Sequence, residues 1–122
     1  MASLINLKTF IDSRGNLTVI EKILPFDIKR IFYIYGVDDS IRGGHRHHRT
    51  YQAAICIKGK CIIYNHDGYK EETFELDNPS KCLLILPQDW HKMYNFTPDA
   101  ILMVLASEYF DPEDYIYQPY GL

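Results

Sequence analysis

No stretch of this chain carries an apolar repeat of helical period; short apolar runs succeed one another with a turn signal between nearly every pair. Residues 52–57 and 61–64 flank Lys58-Gly59-Lys60, the pattern of a hairpin. Residues 17–22 alternate apolar and polar, and 30–37 form an aromatic and β-branched run. A further strand is predicted over 69–76, between His66-Asp67-Gly68 and Asp77-Asn78-Pro79-Ser80. The run 82–86 stops at Pro87, and 92–96 and 101–106 close the series. The acidic tail from Ser107 to Asp114 predicts one short helical turn. About eight or nine strands of ordinary length fit such a chain. The expectation is an all-β sandwich or barrel forming a single domain over residues 1–122.

Charge and composition remove several function classes. The formal net charge is −3 and the basic residues are scattered, so no nucleic-acid or anionic-membrane patch is expected. No run of about 18 apolar residues is present to span a bilayer. The first residues, Met1-Ala2-Ser3-Leu4-Ile5-Asn6, lack the charged and apolar segments of a signal peptide. Cys56, Cys61 and Cys82 make an odd set without metal spacing, read as reduced, mostly buried thiols of a cytoplasmic protein. The ten tyrosines and six phenylalanines suit a β-protein core as well as a sugar-binding surface.

The chemistry concentrates in Arg42-Gly43-Gly44-His45-Arg46-His47-His48, with Gln52 and Gly59 following. Side chains two apart on a strand share a face, so His45 and His47 are aimed at one spot. Imidazole exchanges protons near neutral pH, and two on one face suit proton transfer at a carbon beside a carbonyl. A tyrosine on the preceding strand, Tyr33 or Tyr35, is a candidate to polarise the oxygen. His91, in Pro87-Gln88-Asp89-Trp90-His91, reads either as a pocket residue or as a structural histidine capping a turn. His48 and His66 read as solvent-facing, and Asp12-Ser13-Arg14-Gly15 as a tight turn.

The His-x-His pair, a polar residue several positions on, a glycine after seven more and a later Pro…His…Asn resemble the two motifs of the cupin superfamily. That resemblance implies a cupin jelly-roll β-barrel. Cupins bind a divalent metal through histidines and a glutamate; here Gln52 stands at the glutamate position, and a neutral amide is a poorer ligand. A zinc or iron site on His45, His47 and His91 remains an alternative.

Over nearly its full length the chain is similar to the sugar-nucleotide 3,4-ketoisomerases. The resembling segments are Ile11-Asp12-Ser13-Arg14-Gly15-Asn16-Leu17, Pro25-Phe26-Asp27-Ile28-Lys29-Arg30 and Arg42-Gly43-Gly44-His45-Arg46-His47. Trp90-His91-Lys92-Met93, Met103-Val104-Leu105-Ala106-Ser107-Glu108-Tyr109-Phe110-Asp111 and Asp114-Tyr115-Ile116 complete the match. Arg46 and His48 depart from the family pattern. Family members often run on beyond the position of Tyr120, and a shorter tail is expected to weaken a subunit contact.

The resemblance implies a cofactor-free isomerase acting on dTDP-4-keto-6-deoxyglucose, with no resident metal. A base removes the C3 proton, an enediol or enediolate forms, C4 is protonated and the ketone ends at C3. The product feeds 3-amino-3,6-dideoxy sugars of surface glycans. By motif position His45 and His47 are the acid–base pair and Tyr33 faces the sugar. Arg42 and Arg14 orient the pyrophosphate, while Gln52, Trp90 and His91 complete the substrate site. A homodimer is implied, with the apolar strand around residues 17–20 pairing across it. The alternatives from other classes are a metal-dependent cupin, as dioxygenase or isomerase, and a non-catalytic sugar-binding cupin.

Overall fold

The computed structural model describes residues 1–121. Its strands are β1 (Ser3–Asn6), β2 (Lys8–Asp12), β3 (Gly15–Val19), β4 (Arg30–Tyr35), β5 (Arg42–His47) and β6 (Gln52–Lys58). They continue as β7 (Cys61–His66), β8 (Glu71–Leu76), β9 (Lys81–Ile85), β10 (Trp90–Tyr94), β11 (Ile101–Ala106) and β12 (Tyr115–Ile116). The helical turn expected in the acidic tail is a 3₁₀ turn, Pro112–Asp114, entered through Asp111, whose carboxylate accepts from the Glu113 N–H.

Two five-stranded antiparallel sheets face each other, in the orders β1-β9-β6-β11-β4 and β12-β5-β10-β7-β8. The result is a jelly-roll-like β-sandwich, with β2 and β3 standing apart as a two-stranded hairpin. Between the sheets Ala54, Leu102 and Val104 meet Ile63, Leu76 and Met93. Each such aliphatic side chain taken fully from water stabilises the fold by about 1.5–3 kcal/mol.

The back of the first sheet is covered as well. Ala53, Ile55, Cys82 and Leu105 lie beneath Leu7, Ile20, Leu24 and Phe26. A strand covered on both faces carries no polar alternation, which is why β6 reads as a continuous apolar run. The hairpin turn between β6 and β7 centres on Gly59, at φ +67°, where a Cβ would lie 2.8 Å from the Ala100 Cα.

Three strands, β1, β2 and β12, were not expected from the pattern; each is short and polar or edge-placed. β10 begins at Trp90, so His91 is a strand residue and does not cap a turn. All three cysteines are free and buried.

Candidate active site

The second sheet brings the histidines together. His45 and His47 share the inner face of β5, with ring centroids 5.0 Å apart. His91 is the direct cross-strand partner of His45, and its ring lies 5.0 Å from His45 and 6.1 Å from His47. β12 pairs with the other edge of β5, Tyr115 opposite His47, and lays the Tyr115 ring 4.6 Å from His45 and 4.8 Å from His47.

Burial and mutual repulsion keep these imidazoles neutral. His45 is pushed down to about 3, first by burial and then by the neighbouring His91 and His47. His47 is pushed down to about 4 by burial and His91, with Arg30 adding to the effect and Asp114 opposing it. Burial also lowers His91, against the pull of Asp89.

The His91 Nδ1 lies 3.1 Å from the Asp89 carbonyl oxygen. A carbonyl only accepts, so Nδ1 carries the proton and Nε2 presents its lone pair inward, where it has no protein partner. Both His47 nitrogens, the Gln52 Oε1 and the Asn65 Oδ1 are likewise buried without protein partners. Unsatisfied polar atoms gathered in one place mark a surface built for something other than the core.

A cleft of about 250 Å³ opens onto this cluster. His45, His91, Gln52 and Arg42 line it, as sequence reasoning expected of them, and His47 stands behind His45. Arg30, Phe32, Met93, Phe110 and Tyr115 also line it, residues to which the sequence gives no individual role. Arg30, Met93, Phe110 and Tyr115 all fall within the segments that resemble the ketoisomerases, whereas nothing in the sequence marked Phe32.

Three expected site residues lie elsewhere. Tyr33 is on the outer face of β4, 63% exposed and stacked on Tyr35, because Phe32 and Ile34 take the inward positions. Trp90 alternates with His91 and therefore faces away from the cleft, its indole N–H donating to the Tyr117 carbonyl at 3.0 Å. Arg14 sits at the tip of the β2–β3 hairpin, its guanidinium 2.6 Å from the Asp12 carboxylate and outside this chain's own cleft. The departures Arg46 and His48 are also off the inner face: Arg46 covers the Tyr120 ring and His48 is exposed.

Among the described residues no three histidine, cysteine or carboxylate side chains converge as a metal site. Two of the three histidine ring pairs meet edge to face, and the carboxylate position of the cupin metal site holds the neutral amide of Gln52. The donor set does not fit the cupin metal. Neutral imidazoles beside an arginine-rimmed cleft are instead suited to moving protons on a bound anionic ligand.

The chain is 43% identical over 117 residues to the TDP-4-oxo-6-deoxy-alpha-D-glucose-3,4-oxoisomerase of Aneurinibacillus thermoaerophilus, covering 93% of this chain and 84% of that one. It superposes with a TM-score of 0.91 on the 3,4-ketoisomerase QdtA from Thermoanaerobacterium thermosaccharolyticum, there a histidine-to-asparagine mutant in complex with TDP-4-keto-6-deoxyglucose. The two are 44% identical over 96% of this chain and 87% of the other. WlaRA, a TDP-fucose-3,4-ketoisomerase from Campylobacter jejuni, matches at TM-score 0.89 and 40% identity, covering 96% and 89% of the two chains. The family described as "FdtA: WxcM-like, C-terminal" matches residues 1–120, and the chain belongs to it.

Proposed function

We propose that this protein is a sugar-nucleotide 3,4-ketoisomerase that converts dTDP-4-keto-6-deoxyglucose to its 3-keto isomer. The observation that carries the reading is the inward-facing set of His45, His47 and His91, three neutral imidazoles of which His45 and His91 line an arginine-rimmed cleft.

The reaction needs only proton movement. The C3 proton is acidic because the C4 carbonyl stabilises the resulting enediolate. A neutral imidazole of the His45–His47 pair takes that proton, the C4 oxygen takes up a proton as the enediol forms, C4 then receives a proton, and the O3 proton departs as the new carbonyl forms. Nothing is oxidised or reduced overall, so no external electron acceptor is required. His45 meets the sugar directly, since it lines the cleft, and His47 supports it from behind. Arg42 at the cleft rim provides a fork for pyrophosphate oxygens. Phe32 and Phe110 exclude water and offer apolar surface to the sugar or base.

The protein acts as a homodimer in this reading. The β2–β3 hairpin has no third strand, and an isolated hairpin is at best marginally stable in water. It exposes Phe10, Ile11 and Leu17. Burying these against a second copy stabilises the hairpin and carries Arg14 to the partner's cleft, where its charge meets the pyrophosphate. Three buried free thiols fit a reducing, cytoplasmic compartment. The 3-keto product is an acceptor for amination by a separate enzyme, as in a route to 3-amino-3,6-dideoxy sugars.

The test is turnover by metal-stripped protein with dTDP-4-keto-6-deoxyglucose in D₂O, followed by NMR of the sugar protons. Formation of the 3-keto sugar, abolished in His45→Asn and His47→Asn, is expected. Turnover only after zinc or iron is added would replace this reading with a metal-assisted cupin. Binding without turnover under either condition would leave a sugar-binding protein.

A further inference from the structure

Asp114 ends the 3₁₀ turn and immediately precedes Tyr115, the residue paired with His47. It is 2% exposed. Its Oδ1 accepts from the Arg49 backbone N–H at 2.9 Å and its Oδ2 accepts from the Thr50 hydroxyl. The Arg49 guanidinium lies 3.6 Å away, and the Asp114 carbonyl accepts from the His48 N–H at 3.0 Å. Every donor in this set comes from the three residues that follow His47, so the carboxylate is anchored to the end of β5 itself.

Burial pushes the Asp114 carboxyl up, but the bonds from Thr50 and Arg49 outweigh it and hold the group below the usual carboxylate value. The group is therefore a fixed negative charge. The His47 ring packs against His45 on its own strand, His91 on β10 and Tyr115 on β12, the residue next to Asp114, and Arg30 on β4 and this carboxylate act on it through their charge. Of the charged groups among them, His91 and Arg30 disfavour a proton on His47, and Asp114 favours it.

We propose that Asp114 is a positioning residue of the isomerase, its anchored carboxylate stabilising the imidazolium that forms on His47 while the proton taken from the sugar is held by the histidine pair. Asp114 itself stays ionised throughout; the proton passes from C3 to imidazole and back to the carbon skeleton at C4. This deepens the proposed function and rests on the His45–His47 pair being the proton carrier.

The experiment compares Asp114→Asn with Thr50→Val in protein labelled with ¹⁵N-histidine. Asparagine is isosteric, keeps an acceptor for the Arg49 N–H, and removes only the charge. Loss of that charge lowers the NMR titration midpoint of His47 and cuts kcat by about tenfold or more, with KM nearly unchanged. Thr50→Val keeps the charge but removes the donor that partly neutralises it, so the His47 midpoint rises and turnover is retained. A purely structural tie predicts that the two variants lose activity together with the His47 midpoint unmoved, and that result overturns the proposal. If Asp114→Asn does not fold, the Thr50→Val titration decides alone: an unmoved midpoint overturns it. Full turnover by His47→Asn would instead remove the underlying reading of the pair, an outcome separate from either titration.

Discussion

His45 and His91 stand directly opposite each other on the β5–β10 ladder, their ring centroids 5.0 Å apart, and the ladder slips its register at the very next residue of β10. The slip skips Gly44, and the next paired residue, Gly43, sits at φ +81°, where an added Cβ would lie 3.1 Å from the His91 carbonyl oxygen. A side chain here meets both a left-handed backbone and a crowded carbonyl. Gly43→Ala is therefore expected to cost about 1–3 kcal/mol in urea unfolding. Because the strain falls on the ladder that aligns the two rings, kcat should drop as well, while Gly36→Ala, at positive φ in open space, should lose stability without losing turnover in the folded fraction.

The depressed histidines set the pH behaviour. A surface histidine used as a base would lose activity as pH falls through 6.5. Here the acid limb of kcat/KM belongs near His45 at about 3 and His47 at about 4, so the profile should stay flat through pH 6. Stability follows the opposite logic. Below 6.5 the unfolded chain protonates these histidines while the folded chain does not, so stability falls as pH is lowered towards about 4. Thermal melts across that window should show the decline, and His47→Gln should make it shallower.

Tyr33, expected from motif position to face the sugar, lies on the exposed back of β4, while Tyr115 lies beside His45 in the cleft. Tyr33→Phe, on the exposed back of β4, should leave the kcat of the folded protein within about twofold. Tyr115→Phe removes a hydroxyl from a ring that lines the cleft against His45, and should reduce kcat by about tenfold to a hundredfold if that hydroxyl donates to the enediolate oxygen. Equal activity of the two variants would show that neither phenol acts.

What was legible in the sequence was whatever a period or a glycine marks. Gly59 fixed the β6–β7 hairpin because little else tolerates that turn, and the two-residue spacing placed His45 and His47 on one face. The face of Tyr33 was not legible, since Ile31 to Tyr35 are all apolar or aromatic and a run without polar alternation does not say which side is inward. The face of Trp90 hides for a smaller reason: the apolar pattern marks the strand only from Lys92, whereas β10 begins at Trp90, and once His91 points in its neighbour must point out. Tyr115 and Asp114 reach the site through a two-residue strand at a sheet edge, a pairing too short to leave a pattern.

The hairpin carrying Arg14 allows a decisive test of shared sites. In one chain Arg14 is tied to Asp12, far out on a two-stranded element, and the cleft of that chain is lined without it. If the hairpin lies on a second copy, each cleft takes His45 from one protomer and Arg14 from the other. Arg14→Ala and His45→Asn proteins, each weakly active or inactive alone, should then regain activity when unfolded together and refolded. Random pairing makes half the dimers mixed, and each mixed dimer has one intact cleft, so recovery should approach about a quarter of wild-type activity. Ile11→Asp with Leu17→Asp should abolish both the dimer in light scattering and the recovery. A mixture that stays as inactive as its parents would place Arg14 in the service of its own chain, or of no cleft at all.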